Sequence, residues 1–589
     1  MAGDRTFELG LVMAGAVSAG AYTAGVMDFL FEALDAYEDA KQRRGWNGPT
    51  HDVRIPVMSG ASAGGMTAAI SALHAFRDLE HVWPGKAAPS PQRNRLYSSW
   101  VTDISLRALL ETTDLESGRE AAGVMSMLCC DVLDRIVASA FDLDGSVRRR
   151  NWIGRGDDRS LRVMLTLTNV RGVPYSFPVF GSRAEERFGM LNHADLFDFA
   201  VGATDPSVGP MPLDINKLDA ANWDQFRAAA LATGAFPVGL RPRVIEKPTA
   251  AWYKDAGCVG YEDALNQCFV NISPDDSFGA EAPYRFTAVD GGVIDNEPLE
   301  LARRYLADQQ QHNPRDGEKA NKAVLLVAPF PSFRTAPAFD AELKLIHLAP
   351  VLASMLIDQA RFKPDELRLA ASDKVFSRFM ISPIREGDGS AMARKYPIAC
   401  GVMGGFGGFI DESFRRHDYL LGRRNAQAFL RWNFGLPETN PLFQGVAIDK
   451  DRWYVRNADG AAGSLSLAAD RGRDTKKFAT KVEEDASQPG FPIIPLVDEL
   501  CEPIEISAED MPQPDSISLD VIKTLIGARA KAVVATLIDV DLRKESDSLG
   551  EVVSEASRLM ARHFGAHIVT EKASSVVEKA IEDVRAAFA

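Results

Sequence analysis

The sequence predicts an α/β fold with a mostly parallel central sheet, and two features support this prediction. A strand, a glycine-containing turn and a helix follow one another twice near the amino terminus, over residues 7–36 and 53–76. Further along, residues 161–169, 284–289 and 323–328 are short apolar runs with enough β-branched residues for central strands. Repeated strand, turn and helix units are typical of sheets whose strands pair in parallel beneath covering helices.

Composition and charge narrow the class of protein. The chain has 589 residues, of which 46% are hydrophobic and 25% are charged, so we expect several globular domains rather than a disordered or coiled-coil chain. The net charge of −15 argues against binding to nucleic acid and against a standing polybasic attachment to anionic lipid. Transient association with a membrane surface stays open.

Cysteine usage and the longest uncharged stretches bear on location. The six cysteines include no C-x-x-C pair, which argues against a disulfide framework or a zinc ribbon and favours a reducing, cytoplasmic location. Residues 9–27 and 55–75 are long enough to cross a membrane, but Gly, Ala and Ser interrupt both, so we predict no transmembrane segment. Acidic residues at the amino terminus argue against a signal peptide.

The pattern of elements divides the chain into four regions. The α/β pattern covers residues 1–335 and is interrupted by a largely helical insertion at about 78–160. Residues 336–435 are predicted to form a helical extension, 436–515 an irregular connecting region, and 516–589 the C-terminal helices. The insertion is expected to pack into the core or to form a lid or a substrate wall.

Gly60, Ser62 and Gly64 form a G-x-S-x-G motif between an apolar strand and a helix. A serine at a sharp strand-to-helix turn adopts a strained backbone, and neighbouring backbone comes so close that the flanking positions must lack side chains. Its hydroxyl then projects beside a helix N-terminus, which favours developing negative charge. A plain Gly/Ser turn is the alternative, but the flanking strand and helix favour a nucleophilic serine.

Asp290 is the predicted base for Ser62. It follows the run at 284–289 and precedes Gly291 and Gly292, which would let another backbone pack against the carboxylate. Both side chains would then lie at the carboxyl ends of their strands, at the sheet edge where open α/β sheets bind ligands. An aspartate in water has a pKa of about 3.9, so we expect Asp290 to be partly buried and hydrogen-bonded mainly to Ser62.

A Ser-His-Asp triad is the alternative arrangement. The order serine, aspartate, histidine can be drawn with His347 or His417. Neither histidine lies in a turn typical of a catalytic loop, and each is better explained as a residue on a helix face. Aspartate therefore remains the preferred partner of the serine.

A turn of small residues from Gly15 to Gly20 precedes the first helix. A dinucleotide-binding fingerprint would need glycine in place of Val17, and a P-loop would need lysine in place of Ala21, so both nucleotide motifs are excluded. The exposed N–H groups of such a turn are suited to an oxyanion. Close packing of helix against strand would use the same glycines.

Taken together, these motifs resemble the patatin-like phospholipase family. The matching blocks, in chain order, read MAGAVSAGAY at 13–22, SGASAGG at 59–65, ATGAFPVGLRP at 232–242 and AVDGGVIDNEP at 288–298. The resemblance covers about residues 6–330, and residues 399–430 look like a block of larger bacterial members. It implies a three-layer α/β sandwich with a mostly parallel sheet, helical insertions and a largely helical C-terminal extension.

The resemblance further implies a serine acyl hydrolase that cleaves carboxylic esters of (phospho)lipids without a metal or a cofactor. Ser62 would be the nucleophile and Asp290 the base of a dyad that forms an acyl-enzyme. Backbone N–H groups around Gly15, Ala16 and Val17 would form the oxyanion hole. The expected partner is therefore a lipid or a membrane surface.

The turn departs from the family pattern in one respect. The family often places Arg or Lys after its glycine triplet, whereas this chain has Ser18 and Ala19. Two other functions therefore stay open, namely a soluble carboxylesterase or acyltransferase with the same dyad, and a non-catalytic lipid-binding regulatory protein.

One predicted helix carries a largely cationic face, made of Arg416, Arg423, Arg424, Gln427 and Arg431. A solvated or salt-bridged face is the simpler interpretation. Contact with a phosphate headgroup is the alternative.

Overall fold

One large sheet organises the part of the chain that the computed structural model describes. That part comprises residues 5–143, 146–178, 187–204, 211–247, 253, 260–263, 268–272, 274–275, 278, 283–307, 313–330, 359, 368–369, 375–385, 395–453, 490–541 and 555–588. The described strands of the sheet are β1 (Thr6–Met13), β2 (Asp52–Gly60), β3 (Leu161–Pro178), β4 (Arg187–Val201), β5 (Pro212–Leu213), β6 (Arg243–Lys247), β9 (Tyr284–Asp290), β10 (Lys322–Val327) and β11 (Arg378–Ile381). Two separate two-stranded antiparallel sheets pair β7 (Gly260–Asp263) with β8 (Cys268–Asn271), and β12 (Gly435–Pro437) with β13 (Gly490–Pro492).

The described helices lie between and after these strands. They are α1 (Gly20–Lys41), α2 (Ser62–His74), α3 (Arg95–Tyr97), α4 (Leu106–Leu109), α5 (Asp131–Ala140), α6 (Ala221–Thr233), α7 (Leu299–Ala307), α8 (Glu412–Trp432), α9 (Lys450–Trp453), α10 (Leu519–Thr536) and α11 (Glu555–Phe588). Among them, none combines the length and the apolar character that a membrane crossing requires.

Most strand pairs of the sheet are parallel. β1 lies between β10 and β2 and is parallel to both, and the parallel arrangement continues from β10 to β11 and from β2 to β3. The antiparallel pairs join β3 to β4, β3 to β9, and β9 to β6. The predicted α/β class with a mostly parallel sheet is therefore confirmed.

Helices cover both faces of the sheet, which gives three layers. Side chains alternate along β1, so that Phe7, Leu9 and Leu11 join the main core with α1 and α8. Val12 joins the smaller core on the opposite face, where α7 packs. Because these strands are buried on both faces, they are almost continuously apolar.

Helix α8 packs so closely along α1 that only glycine fits at the crossing. A Cβ atom on Gly25 would overlap the carbonyl oxygen of Tyr419, and one on Gly422 would overlap that of Tyr22. Residues predicted to form a separate extension thus contribute to the main core of the α/β region.

The sheet also continues past the predicted boundary at residue 335. Strand β11 extends it beyond β10, because its short run pairs in parallel with residues 324–327. A four-residue strand is fixed by its neighbour rather than by local periodicity, so the sequence pattern did not indicate it. Most of the predicted helical extension before β11, including His347, lies outside the described residues.

The cationic face of α8 is largely used inside the protein. Arg423 is fully buried and pairs with Asp28 and Glu32 of α1, while Arg416 pairs with Asp510 at 2.8 Å. These ion pairs favour the salt-bridged interpretation over contact with a headgroup.

Candidate active site

The carboxyl ends of β2 and β9 meet beside β3. Strand β2 runs parallel to β3 and ends with Gly60 opposite Leu165, whereas β9 runs antiparallel and ends with Asp290 opposite Leu167. The two strand ends are therefore only two register positions apart. Both residues were predicted to lie at one edge of a parallel sheet, but β9 reaches that edge from the opposite direction.

Ser62 stands in a strained turn between β2 and α2. Its φ is +53°, in the left-handed region that residues with a Cβ seldom adopt. Its N–H donates to Thr233 Oγ1 at 2.9 Å, and its Oγ donates to Asp290 Oδ2 at 2.6 Å. The structure thus brings together the predicted serine and the predicted aspartate, which are 228 residues apart in the chain.

Two glycines, Gly60 and Gly64, allow this turn to form. A Cβ atom on Gly60 would lie 2.7 Å from the backbone of Gly64, and one on Gly64 would overlap the carbonyl oxygen of Met13. The start of α2 is therefore seated directly on the end of β1, with the positive end of its dipole beside Ser62.

Asp290 is buried, with 3% of its surface exposed. Its Oδ1 accepts from the N–H of Gly292 at 2.7 Å, within a 3₁₀ turn that begins at Gly291, and its own N–H donates to the carbonyl of Ala235 at 3.0 Å. Burial raises the pKa of Asp290 to about 7, although the hydrogen bonds from Ser62 and Gly292 act in the opposite direction. The carboxylate is thus a much stronger base than a solvated aspartate.

The predicted oxyanion turn lies directly against Ser62. A Cβ atom on Gly15 would be 3.0 Å from Ser62 Cβ, and Val17, whose φ is +48°, lines the same pocket as Ser62. The Gly15 N–H donates to the carbonyl of Asn296 at 3.1 Å. Among the described residues, the N–H groups of Ala16 and Val17 donate to no acceptor. Of the three residues predicted to supply the oxyanion hole, these two therefore keep their N–H groups available. The last glycine of the turn begins α1.

A glycine-rich segment, residues 399–409, braces this turn. Ser18 is fully buried, its Oγ donates to the carbonyl of Gly405, and it accepts from the N–H of Gly408 at 3.0 Å. The segment is held in turn by Asp418 of α8, which accepts from the N–H groups of residues 399 and 400. Where the family often has a cationic side chain, this chain therefore has a hydroxyl tied to its C-terminal region.

Two residues that the sequence motifs did not single out, Thr233 and Asn296, connect the parts of the site. Thr233 accepts a hydrogen bond from the Ser62 N–H. The Oδ1 atom of Asn296 lies so close to Gly15 and Gly292 that a Cβ atom on either glycine would overlap it. Both residues lie inside the sequence blocks that resemble the family, and their place in those blocks could have indicated a role in the site. Their polar side chains were not recognised because their partners are distant in sequence.

An apolar pocket opens at Ser62. One wall comes from the insertion and contains Trp100, Ile104, Leu109, Leu133 and Ile136. The cavity has a volume of about 50 Å³, against roughly 10–15 Å³ for a single water. The insertion, which contains short helices joined by turns rather than long helices, thus contributes one wall of this pocket.

His417 does not take part in this arrangement. Its Nδ1 lies 2.7 Å from Asp418 Oδ1, and its ring packs against Phe588. The position beside the Ser62 hydroxyl is occupied by Asp290 instead.

Comparisons with known proteins agree with the site. The family model described as patatin-like phospholipase matches residues 11–303. A relative from Sinorhizobium fredii, called uncharacterized protein y4iI, is 35% identical, with 92% of this chain and 78% of the relative covered. The crystal structure of VipD from Legionella pneumophila is 13% identical, with 98% of this chain and 91% of that one covered and a TM-score of 0.19. With the serine, the aspartate and the small-residue turn all inside the matched region, the chain belongs to the patatin-like phospholipase family.

Proposed function

We propose that this protein is a serine acyl hydrolase that cleaves carboxylic ester bonds of (phospho)lipids. The observation that carries the proposal is the 2.6 Å hydrogen bond from the Ser62 hydroxyl to buried Asp290, at the end of an apolar pocket. Family membership supports a lipid as the substrate class, and the apolar lining supports an acyl chain beside the serine.

Asp290 acts as the general base in the first half of the reaction. Because its pKa is raised to about 7, it is ionised in part at neutral pH and holds a proton well enough to accept one. As the proton moves to Asp290, Ser62 Oγ attacks the ester carbonyl carbon. The tetrahedral intermediate then expels the alcohol, which takes the proton from Asp290, and an acyl-serine remains.

Water completes the reaction by the same route. Asp290 takes a proton from the water as it attacks the acyl-serine carbonyl. Collapse of the second tetrahedral intermediate returns this proton to Ser62 Oγ and releases the fatty acid.

The N–H groups of Ala16 and Val17 are the proposed oxyanion donors. They belong to a turn that touches Ser62 and is held by the Gly15 and Ser18 hydrogen bonds, so they need little reorganisation during the reaction. The N-terminus of α2 adds a favourable dipole on the same side.

The experiment compares wild type with Ser62→Ala on two substrates, a water-soluble p-nitrophenyl ester and phosphatidylcholine vesicles, with fatty acid release followed by mass spectrometry. We expect Ser62→Ala to lower kcat at least about 10³-fold on both, because the covalent intermediate cannot form. Ser71→Ala, a buried serine of the same helix outside the pocket lining, is the matched control and should stay near wild type.

Each other outcome points to a different function. Cleavage of the short ester without cleavage of vesicles would indicate a soluble carboxylesterase. Vesicle binding without cleavage by wild type would indicate a lipid-binding regulatory protein. Full vesicle hydrolysis by Ser62→Ala would rule out Ser62 as the nucleophile.

A further inference from the structure

Two neighbouring segments, residues 124–128 and 236–240, form an apolar surface beside the pocket. A hydrogen bond of 2.9 Å runs from the Met127 N–H to the carbonyl of Val238, and another of 3.0 Å joins the segments one position further on. Both segments are rich in apolar residues. We refer to them together as the rim patch.

The rim patch is the outward continuation of the pocket wall. Phe236 and Leu240 line the pocket that contains Ser62, while Val238 between them points away and is 75% exposed. Met125 on the neighbouring segment is 53% exposed. A substrate chain leaving the pocket on this side would therefore pass over apolar surface.

The backbone conformation of Val238 and the exposure of its side chain are both unfavourable in water. Its φ is +67°, which is strained for a β-branched residue, and its exposed side chain gains little from burial. Asparagine or glycine would adopt this conformation at lower cost. A strained and exposed apolar side chain is expected where it contacts an apolar phase outside the protein.

The charges around the rim patch do not suit an anionic surface. Arg241 and Arg243 both pair with Asp134, at 2.5 and 2.7 Å. Arg529, which donates to the Met127 carbonyl, also pairs with Asp114. Asp541 adds a third carboxylate, because its Oδ2 accepts from the Val124 N–H at 3.0 Å. The three cations thus lie among three carboxylates, and the whole chain carries a net charge of −15. An electrically neutral surface is the complementary one.

We infer that the rim patch docks the protein on an electrically neutral lipid–water interface, with Val238 and Met125 entering the apolar layer. The pocket then opens directly against the lipid, so that an acyl chain reaches Ser62 without crossing water. This inference rests on the proposed function, because it takes the substrate to be a membrane lipid.

The test uses Val238→Asn in the full chain with vesicles of dioleoylphosphatidylcholine. Asparagine tolerates the left-handed backbone, so the thermal midpoint should equal or exceed that of wild type. We expect vesicle binding in a flotation assay to weaken about tenfold, because a buried aliphatic side chain is lost. The ratio of vesicle to short-ester hydrolysis should fall by a similar factor.

The control is Val576→Asn, which alters a valine that is 51% exposed on α11 and should leave vesicle binding unchanged. Binding of Val238→Asn equal to wild type would overturn the inference, as would tighter wild-type binding to anionic vesicles that is lost in high salt. A wild-type dimer that Val238→Asn converts to a monomer would instead assign the patch to a second copy. Vesicle binding needs no catalysis, so failure of the proposed function would appear separately, as an inactive wild type that still floats with vesicles.

Discussion

At the scale of single residues, the hydrogen-bonded pair of Ser62 and Asp290 links activity to a cost in stability. Burial disfavours the charged carboxylate, so the folded protein binds the Asp290 proton more tightly than the unfolded chain does. The same shift gives the carboxylate the basicity that the proposed reaction requires. Both effects can be measured as functions of pH.

We expect kcat/KM to follow the ionisation of Asp290. The base must be unprotonated and its pKa is raised to about 7, so kcat/KM on a soluble ester should fall about tenfold per pH unit well below that value. Above it, the profile should become level. A profile that breaks near pH 4 would show that Asp290 ionises like a solvated aspartate and would contradict this expectation.

The stability of the protein should change with pH in the opposite sense. Between the unfolded pKa of about 3.9 and the folded value, the folded state holds a proton that the unfolded state has lost, so stability falls as pH rises. From pH 5 to pH 7 this amounts to roughly 2–3 kcal/mol. Urea unfolding of Asp290→Asn should show a correspondingly smaller fall than wild type, and equal falls would show that Asp290 does not contribute.

Thr233 is predicted to position Ser62. Thr233→Val removes the acceptor of the Ser62 N–H and leaves a buried donor unpaired, so the strained turn should relax. We expect kcat to fall roughly 10- to 100-fold with a small change in KM, as for a loss confined to the transition state. Thr233→Ser should restore most of kcat, and failure to do so would assign Thr233 to packing alone.

At the scale of elements, the site depends on how closely α2 is seated on β1. Gly64→Ala would place a methyl group on the carbonyl oxygen of Met13, which is rigid backbone. We expect a loss of more than about 3 kcal/mol in urea unfolding, together with loss of activity. Gly189→Ala is the matched control, because its added methyl group meets no atom within 4 Å. Equal stability of the two variants would contradict the predicted overlap.

The strands show which part of the fold could be predicted from local sequence patterns. Strands β1 and β2 and the helices after them follow from apolar runs and glycine turns within about 70 residues. The direction of β9 was missed, although its alternation of apolar Tyr284 and Phe286 with polar Arg285 and Thr287 was a signal. Such alternation is typical of an antiparallel strand with one exposed face, whereas buried parallel strands are continuously apolar.

At the scale of the whole molecule, the turn that is proposed to hold the oxyanion is tied to residues 399–409, which lie far along the chain. Ser18→Ala removes two hydrogen bonds to residues 405–408 and leaves their backbone groups unpaired. We expect stability to fall by about 1–3 kcal/mol and kcat to fall about tenfold, with KM less affected. Ser160→Ala, which alters another buried serine, should leave kcat unchanged. An unaltered kcat in Ser18→Ala would show that the hydrogen bonds of Ser18 contribute to stability only.

The contact between Ser62 and Asp290 could be predicted from the sequence, whereas the contact of Ser18 with residues 405–408 could not, for a physical reason. Ser62 and Asp290 each lie in a local motif whose backbone geometry is encoded by its own glycines. Ser18 is hydrogen-bonded to residues about 390 positions later in the chain, and neither of the two segments has a local sequence pattern that specifies the other. The catalytic roles and the oxyanion donors stay predictions, which the variants above test.

The long reach of the Ser18 contact has a consequence for biosynthesis. Ser18 leaves the ribosome 390 residues before Gly408, the residue whose amide secures it. A nascent chain thus carries the proposed nucleophile and the proposed base well before the proposed oxyanion turn is locked. If the proposed function holds, cellular lipids would meet a competent hydrolase only after translation has passed that point.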